Sequence, residues 1–474
     1  MPTHRQEVEA RSGSLRKELG TFDLALTQIL YIVGSGWVGT AAKLGHAHVV
    51  LWLAAIAAFY LPQAAVVIYL NRLMPLEGGI YQWATAAFGS GVGFLVAWNL
   101  WAYALLILAL MGVVVAQNLS YIIGPLVPAL TGAPWYGLAV TAVVLGGVIL
   151  VSLRGLGVAK WVQNAGGAGQ VLTYTALLVV PWIALRRGML HTFHPLAPTA
   201  PPVSTYSLNI FSKMGVGALS GFEYVALLAG ECRNPARTIG RSVLVAAPIV
   251  ALMFILGTES VVALVPRDHI DLVSPIAQTL SVGFAGFGFA RLIVPVIIGL
   301  VILRTLGNST LLFGGSTRLP MVAGWDGLLP AWFTRLDPRW RTPRNSILFV
   351  GGLTLACALA GQLGVGIQEA FQLLDNAGGI FYGVVYAALF AIPLLGARAL
   401  GSRPPLWLRG AAVAGLATSL LYVVLAVFPI IAIPDRLLFA AKILGVLVGA
   451  NLLGAAILWS GRVATRTALA EPGA

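Results

Sequence analysis

Runs of twenty or more apolar residues recur along the chain from residue 21 to residue 459. That repetition decides the class of fold before any single residue is weighed. A helix needs about 20 predominantly apolar residues to cross the hydrocarbon of a bilayer. Only 9% of the residues are charged, where a soluble domain carries roughly 25%. The sequence therefore predicts an all-α polytopic membrane protein of twelve spans, at 21–44, 47–70, 91–118, 134–153, 161–185, 207–230, 241–265, 289–316, 346–363, 370–395, 406–428 and 437–459. Residues 1–20 and 460–474 read as polar tails. The first 20 residues carry no cleavable signal pattern.

The net charge of +13 raises the question of nucleic acid, and the placement of the charges answers it. With the N-terminus inside, 20 of the 29 Lys and Arg fall in inside segments, while Lys43, Arg186, Arg187, Lys213, Arg267 and Arg436 fall outside. Basic residues in short loops mark the cytoplasmic side. The expectation is a multi-pass protein of the cell's inner (plasma) membrane with both termini cytoplasmic, and no nucleic-acid partner. Cys232 and Cys357 lie at or within spans and suggest neither a disulfide framework nor a metal site.

Two spans are interrupted. Span 1 contains Gly34, Ser35, Gly36 and Gly39, and span 6 contains Gly215, Gly217, Ser220 and Gly221 ahead of Glu223. Glycine makes helix locally costly. Unwound backbone inside a membrane survives where protein or a watery cavity satisfies it. One such patch alone reads equally as a close-packing surface. Two of them five spans apart match inverted repeats of five spans, about 21–185 and 207–395, with a midplane site between the broken helices. Half-helix N-termini suit an anion and the freed carbonyls suit an ammonium, so a zwitterion fits.

Gly34-Ser-Gly-Trp-Val-Gly39, Glu77-Gly-Gly-Ile-Tyr-Gln-Trp83, Ser220-Gly-Phe-Glu223 with Gly230-Glu-Cys-Arg-Asn-Pro-Ala-Arg237, and Ser316-Thr-Arg318 with Trp325-Asp-Gly-Leu-Leu-Pro330 stand in register along spans 1 to 9. Together they resemble the amino acid–polyamine–organocation transporters. The resemblance implies a LeuT-type fold, in which two inverted five-helix repeats (residues 21–395) are followed by two C-terminal helices (406–459). It implies secondary transport of amino acids or related amines by symport or exchange.

It also assigns residues. The amides of Gly34, Ser35 and Gly36 correspond to those that hold a substrate carboxylate, and carbonyls near Ile32 and of Ala218, Leu219 and Gly221 to those that receive the amine. Trp101 of span 3 stands where a side-chain pocket is expected, or is a packing aromatic. Glu223 corresponds to an acidic position proposed for proton coupling, and its alternative is a structural carboxylate. A charged carboxylate within a membrane is costly, so it pairs, hydrogen-bonds or takes a proton. A lysine that some members carry in span 5 is replaced by Gln170, and the aromatic lid before the second break is replaced by Gly217. Phe222 and Trp37 are the substitutes for that lid, with packing as the other reading. Glu231, Arg233 and Arg237 are candidates for an inner gate, or a helix-exit charge cluster. Ser309 and Thr310 of span 8 are weak candidates for a sodium site. Arg304, deep in the same span, needs a partner within the bundle.

The expected function is alternating-access transport of an amino acid, with proton symport of a neutral substrate ahead of exchange or sodium symport. No cofactor beyond a proton or sodium ion is implied. The partners are the small-molecule substrate and the bilayer, and the protein is a monomer or homodimer. An enzyme would need a clustered nucleophile and base, and none is present. A channel or a transporter-like receptor on the same scaffold is the alternative from another class.

Overall fold

The computed structural model describes residues 20–74, 79–154, 156–190, 193–194, 196, 198–223, 232, 234–288, 290–325, 330–340 and 342–470. Among these residues the regular secondary structure is helical throughout. Ten helices are long and apolar enough to cross a membrane, and the bent pair Thr21–Ile32 and Ser35–Ala42 supplies an eleventh span. Span 6 begins as Thr205–Ser212 and continues as a π-helical turn, Lys213–Ala218. Residues 224–231, which would complete it, lie outside the described residues. The fold is the LeuT-type one expected, although the count of twelve is not reached on the described residues alone.

The chain forms two compact units. The first comprises residues 1–97, 180–276 and 382–430. Span 7, Pro235–Leu264, starts with proline at its first turn, where a missing N–H costs nothing. It packs along both halves of span 1 and along span 2. Polar pairs fix its register: Gln28 donates to Ser242 at 2.8 Å, and Trp52 donates to Thr258 at 3.0 Å while stacking on Phe254. Span 11, Leu406–Leu425, packs on span 2 and on the first half of span 6. The first unit thus holds spans 1, 2, 6 and 7 together with span 11 and the second half of span 10.

Three π-helical turns lie in this unit: Ile56–Tyr60 in span 2, Lys213–Ala218 in span 6 and Ile392–Gly396 in span 10. Such turns widen a helix and concentrate at functional sites. Phe59 and Tyr60 of the first one reach Tyr386 and Phe222. The segment after span 2 forms a helix, Ile80–Phe88, entered and left through glycines at φ +43° and +91°. It buries Ile80 and Trp83 and packs on the turn Ile392–Gly396. Pro75–Gly78 fall outside the described residues.

The second unit comprises residues 98–179, 277–381 and 431–474. Span 9, Arg344–Gln362, packs on span 4 and span 8. Gln362 donates to Thr141 at 3.0 Å across that contact. Span 5 approaches span 8 through bare backbone. A Cβ on Gly166 would stand 3.1 Å from the Leu303 carbonyl oxygen, and one on Gly169 would stand 2.9 Å from that of Leu300. That closeness brings Gln170 to Arg304, whose Nε donates to the side-chain amide oxygen of Gln170. The buried arginine therefore has the partner within the bundle that its position demands.

Candidate functional site

Both breaks lie in the first unit, and they touch. Span 1 leaves its helix at Val33 and Gly34, and its two halves are bent by 51°. Gly34 is the N-cap of the second half and offers no side-chain acceptor. The turn that starts at Ser35 and Gly36 is therefore capped by no side chain of its own, and the N–H groups of a first helical turn suit an anion.

Span 6 leaves its helix at Leu219, after the π-helical turn. Gly221 has φ +129°, a conformation that other residues avoid. It also sits directly against span 1: a Cβ there would stand 2.8 Å from the Tyr31 ring and 2.9 Å from Ile32. The sequence pattern thus placed Ile32, Gly34, Ser35 and Gly36 beside Ala218, Leu219 and Gly221, and the fold brings these two segments together.

Trp37 fills the space beside Gly217, where the resemblance leads one to expect an aromatic side chain. A Cβ on Gly217 would stand 2.4 Å from its ring, and one on Gly34 would stand 2.7 Å from it. The indole is half-buried between the two breaks. Phe222, the other candidate, is fully buried and stacks on Tyr60 at 4.7 Å, a packing arrangement.

Glu223 is buried, and both of its oxygens receive phenolic donors, Tyr382 on Oε1 and Tyr386 on Oε2. Three polar residues that sequence reasoning missed converge here: Gln63 of span 2 and the two tyrosines of span 10. The orientation of the Gln63 amide follows from its backbone neighbours. Its NH2 group must face the Leu219 carbonyl at 2.9 Å, and its oxygen must face the N–H groups of Phe222 at 2.9 Å and Gly221 at 3.1 Å. The opposite orientation would aim the NH2 at Glu223 Oε2 at 3.3 Å, but would set two carbonyl oxygens against each other at Leu219. No sequence signal singled out Gln63, Tyr382 and Tyr386: Pro62, one residue before Gln63, is of a kind tolerated throughout membrane helices.

The remaining expected residues have other surroundings. In the second unit, Trp101 donates to the Ser316 carbonyl at 3.2 Å and lies parallel to Phe349. Gln170 is held by Arg304. Ser309 and Thr310 donate to carbonyls of their own helix, at 2.7 and 2.8 Å. In the first unit Arg237 is exposed in the first turn of span 7. Glu231 and Arg233 lie outside the described residues, as do Glu77 and Asp326. Among the described residues, no group of three His, Cys, Asp or Glu side chains could hold a metal ion. Lys213, counted above with the outside basic residues, is fully buried in span 6, its Nζ 5.8 Å from the centre of the Tyr422 ring.

The family model described as amino acid permease matches residues 19–450. An uncharacterized transporter of Legionella pneumophila is 27% identical over 382 residues, covering 79% of this chain and 80% of its own length. A probable agmatine/putrescine antiporter of Lactococcus lactis is 24% identical, over 68% of this chain and 67% of its own. The branched-chain amino acid permease BcaP of Bacillus subtilis is 24% identical, over 78% and 82%. The crystal structure of MhsT in complex with L-phenylalanine superposes with a TM-score of 0.58 at 14% identity, covering 92% of this chain and 99% of that one.

Proposed function

Since the chain belongs to the amino acid permease family, we propose that it carries a neutral amino acid by alternating access, with a proton as the coupling ion. The observation that carries the reading is the contact between the two breaks, with a buried glutamate two residues beyond Gly221. The turn at Ser35 and Gly36, whose N-cap Gly34 makes no side-chain cap, supplies amides for the carboxylate. The carbonyls of Ile32, Ala218 and Leu219 supply acceptors for the ammonium. The Leu219 carbonyl already receives Gln63, so its second lone pair is the one left for substrate.

The proton is favoured over sodium on two grounds. Glu223 is an ionisable group already solvated by hydroxyl donors. Ser309 and Thr310 donate to their own helix, the ordinary role of such hydroxyls in membrane spans. The side-chain end of the substrate is read by Trp37 and its neighbours, and no carboxylate is assigned there, which favours a neutral substrate. The likeness to a branched-chain amino acid permease agrees with this. The likeness to an agmatine/putrescine antiporter favours exchange of an amine as the second reading. The topology with both termini cytoplasmic belongs to the same proposal and rests on the placement of the basic residues.

Counterflow in proteoliposomes tests the proposal. Radiolabelled leucine, lysine, agmatine and putrescine are offered to vesicles preloaded with the same unlabelled compound. Leucine accumulation is the expected result. Accumulation of agmatine or putrescine alone would replace the neutral substrate by an amine. No counterflow with any amino acid or amine would overturn the transporter reading itself.

A further inference from the structure

We infer that Gln63 is a positioning residue that passes the protonation state of Glu223 to the unwound backbone of span 6, with the Tyr386 hydroxyl as the relay between them. The inference deepens the proton-coupled reading above and rests on it. Gln63 is fully buried, and its amide holds both sides of the break at once: the Leu219 carbonyl on one side, the Gly221 and Phe222 N–H groups on the other. Its oxygen also lies 2.7 Å from the Tyr386 hydroxyl and 3.3 Å from Glu223 Oε2. The Tyr386 oxygen in turn accepts from Gly221 N–H at 2.8 Å and bonds to Glu223 Oε2.

A phenol has one proton to give. When Glu223 carries a proton on Oε2, it donates to the Tyr386 oxygen, and Tyr386 donates onward to Gln63. Each oxygen then faces a hydrogen. When that proton leaves to water, the Tyr386 hydroxyl must turn to the carboxylate, where Tyr382 already serves the other oxygen. The Gln63 oxygen then loses one donor and faces an anionic oxygen 3.3 Å away with no hydrogen between them. Two acceptors in contact repel, and in a low-dielectric interior the cost is large. Gln63 grips Leu219, Gly221 and Phe222, so the repulsion is delivered to the segment that the first break touches. Only one O–H bond breaks in the step, and the proton is the only species that leaves.

The other titratable groups on the elements around this cluster include Asp23, Tyr31 and Lys43 of span 1, His48, Tyr60, Tyr69 and Arg72 of span 2, Tyr206 and Lys213 of span 6, Glu259 of span 7, Glu369 and Asp375 of span 10, and Arg409 of span 11. Arg237 and Arg241 stand at the start of span 7, and Tyr422 in span 11. Tyr60 is turned to the Phe222 ring and Lys213 to Tyr422. Tyr69 bonds Ser402. Glu259 is taken up by His48 and His46, and Glu223 is the carboxylate that Tyr386 and Gln63 contact, so its proton is the one they sense.

The test compares Gln63→Leu, Tyr386→Phe and Glu223→Gln in proteoliposomes, with radiolabelled leucine, lysine, agmatine and putrescine. Uptake driven by an imposed pH gradient is measured beside counterflow at equal pH. Glu223→Gln should lose the first and keep measurable counterflow. Gln63→Leu and Tyr386→Phe should lower the ratio of pH-driven uptake to counterflow by about tenfold or more, the worth of one hydrogen bond to a charged group. A merely structural role would lower both assays by the same factor, and that result overturns the relay. So does a wild-type ratio in Gln63→Leu beside its loss in Glu223→Gln. Retention of pH-driven uptake by Glu223→Gln removes the proton reading itself. Should Gln63→Leu not fold, Gln63→Asn withdraws the amide by one methylene. Its melting temperature should then vary less with pH than that of the wild type, as in Glu223→Gln, and an unchanged dependence counts against the relay.

Discussion

Gly217 of span 6 and Trp37 of span 1 occupy one space: the indole stands where a side chain at residue 217 would have to go, 2.4 Å from its Cβ position. An aromatic residue before the second break would exclude Trp37 from this place. The absence of a side chain at 217 and the presence of an indole at 37 are thus one packing solution. The ring that stands between the two breaks is carried by the first broken helix instead of the sixth.

Gly217→Ala should therefore destabilise the protein, because a fully formed ring cannot yield 1 Å without moving span 1. Overpacking of this kind costs about 1–3 kcal/mol. Trp37→Ala alone should also destabilise, by leaving a cavity. The double variant should be more stable than the sum of the two losses implies, and thermal unfolding of the four proteins in detergent measures that coupling. Strict additivity would show that the two residues do not share the space.

Glu223→Gln keeps the shape of the side chain and the donors that serve it, but cannot exchange a proton. Uptake driven by a pH gradient should disappear while counterflow remains measurable. Unchanged pH-driven uptake in vesicles would remove Glu223 from coupling.

Gln170→Leu should cost about 1.5–3 kcal/mol, because it removes a hydrogen bond to a charged group whose charge stays buried. Arg304→Met with Gln170→Leu should recover much of that loss, since an apolar pair leaves no charge to satisfy. Denaturation midpoints of the two variants decide it. A double variant no more stable than the single one would show that the guanidinium has a role beyond its pairing.

A second buried pair joins the start of span 2 to the end of span 7. His48 Nε2 lies 2.7 Å from Glu259 Oε2, and both side chains are shut from solvent. His46, largely exposed, approaches the other carboxylate oxygen at 3.5 Å. His48→Leu strands the carboxylate and should cost about 3–5 kcal/mol, the range found when one partner of a buried pair is removed. The milder Glu259→Gln retains a hydrogen-bonding amide and should cost less. Thermal unfolding ranks the two, and the reverse order would mean that His46 alone suffices as the partner of the carboxylate.

How much of this was legible depended on whether backbone or side chain carried the feature. Gly34, Gly36 and Gly221 announced the breaks because glycine in an apolar run signals a backbone demand in the sequence itself. The contact between the breaks followed from the five-span offset. Gln63, Tyr382 and Tyr386 announced nothing. A glutamine or tyrosine in a membrane helix becomes informative only when its rotational position on the helix is known, and uniformly apolar spans give no amphipathic stripe from which to read that position. Gly166 and Gly169 could have been read: two glycines three residues apart on span 5 imply a close neighbour. The hydropathy that located the spans says nothing about which neighbour that is. Lys213 was read by its charge as a marker of the outside, whereas the fold seats it on an aromatic ring.

The turn at Gly34 carries a consequence for how this protein can be dissected. Two of its first three residues are glycines, and no side chain caps it. The groups it offers an anion are main-chain N–H groups, which every substitution except proline leaves in place. An alanine scan across residues 34–36 would report crowding against Trp37 and would be blind to the bonds themselves. Those bonds are reached by exchanging a peptide for an ester, which deletes one N–H and alters no side chain.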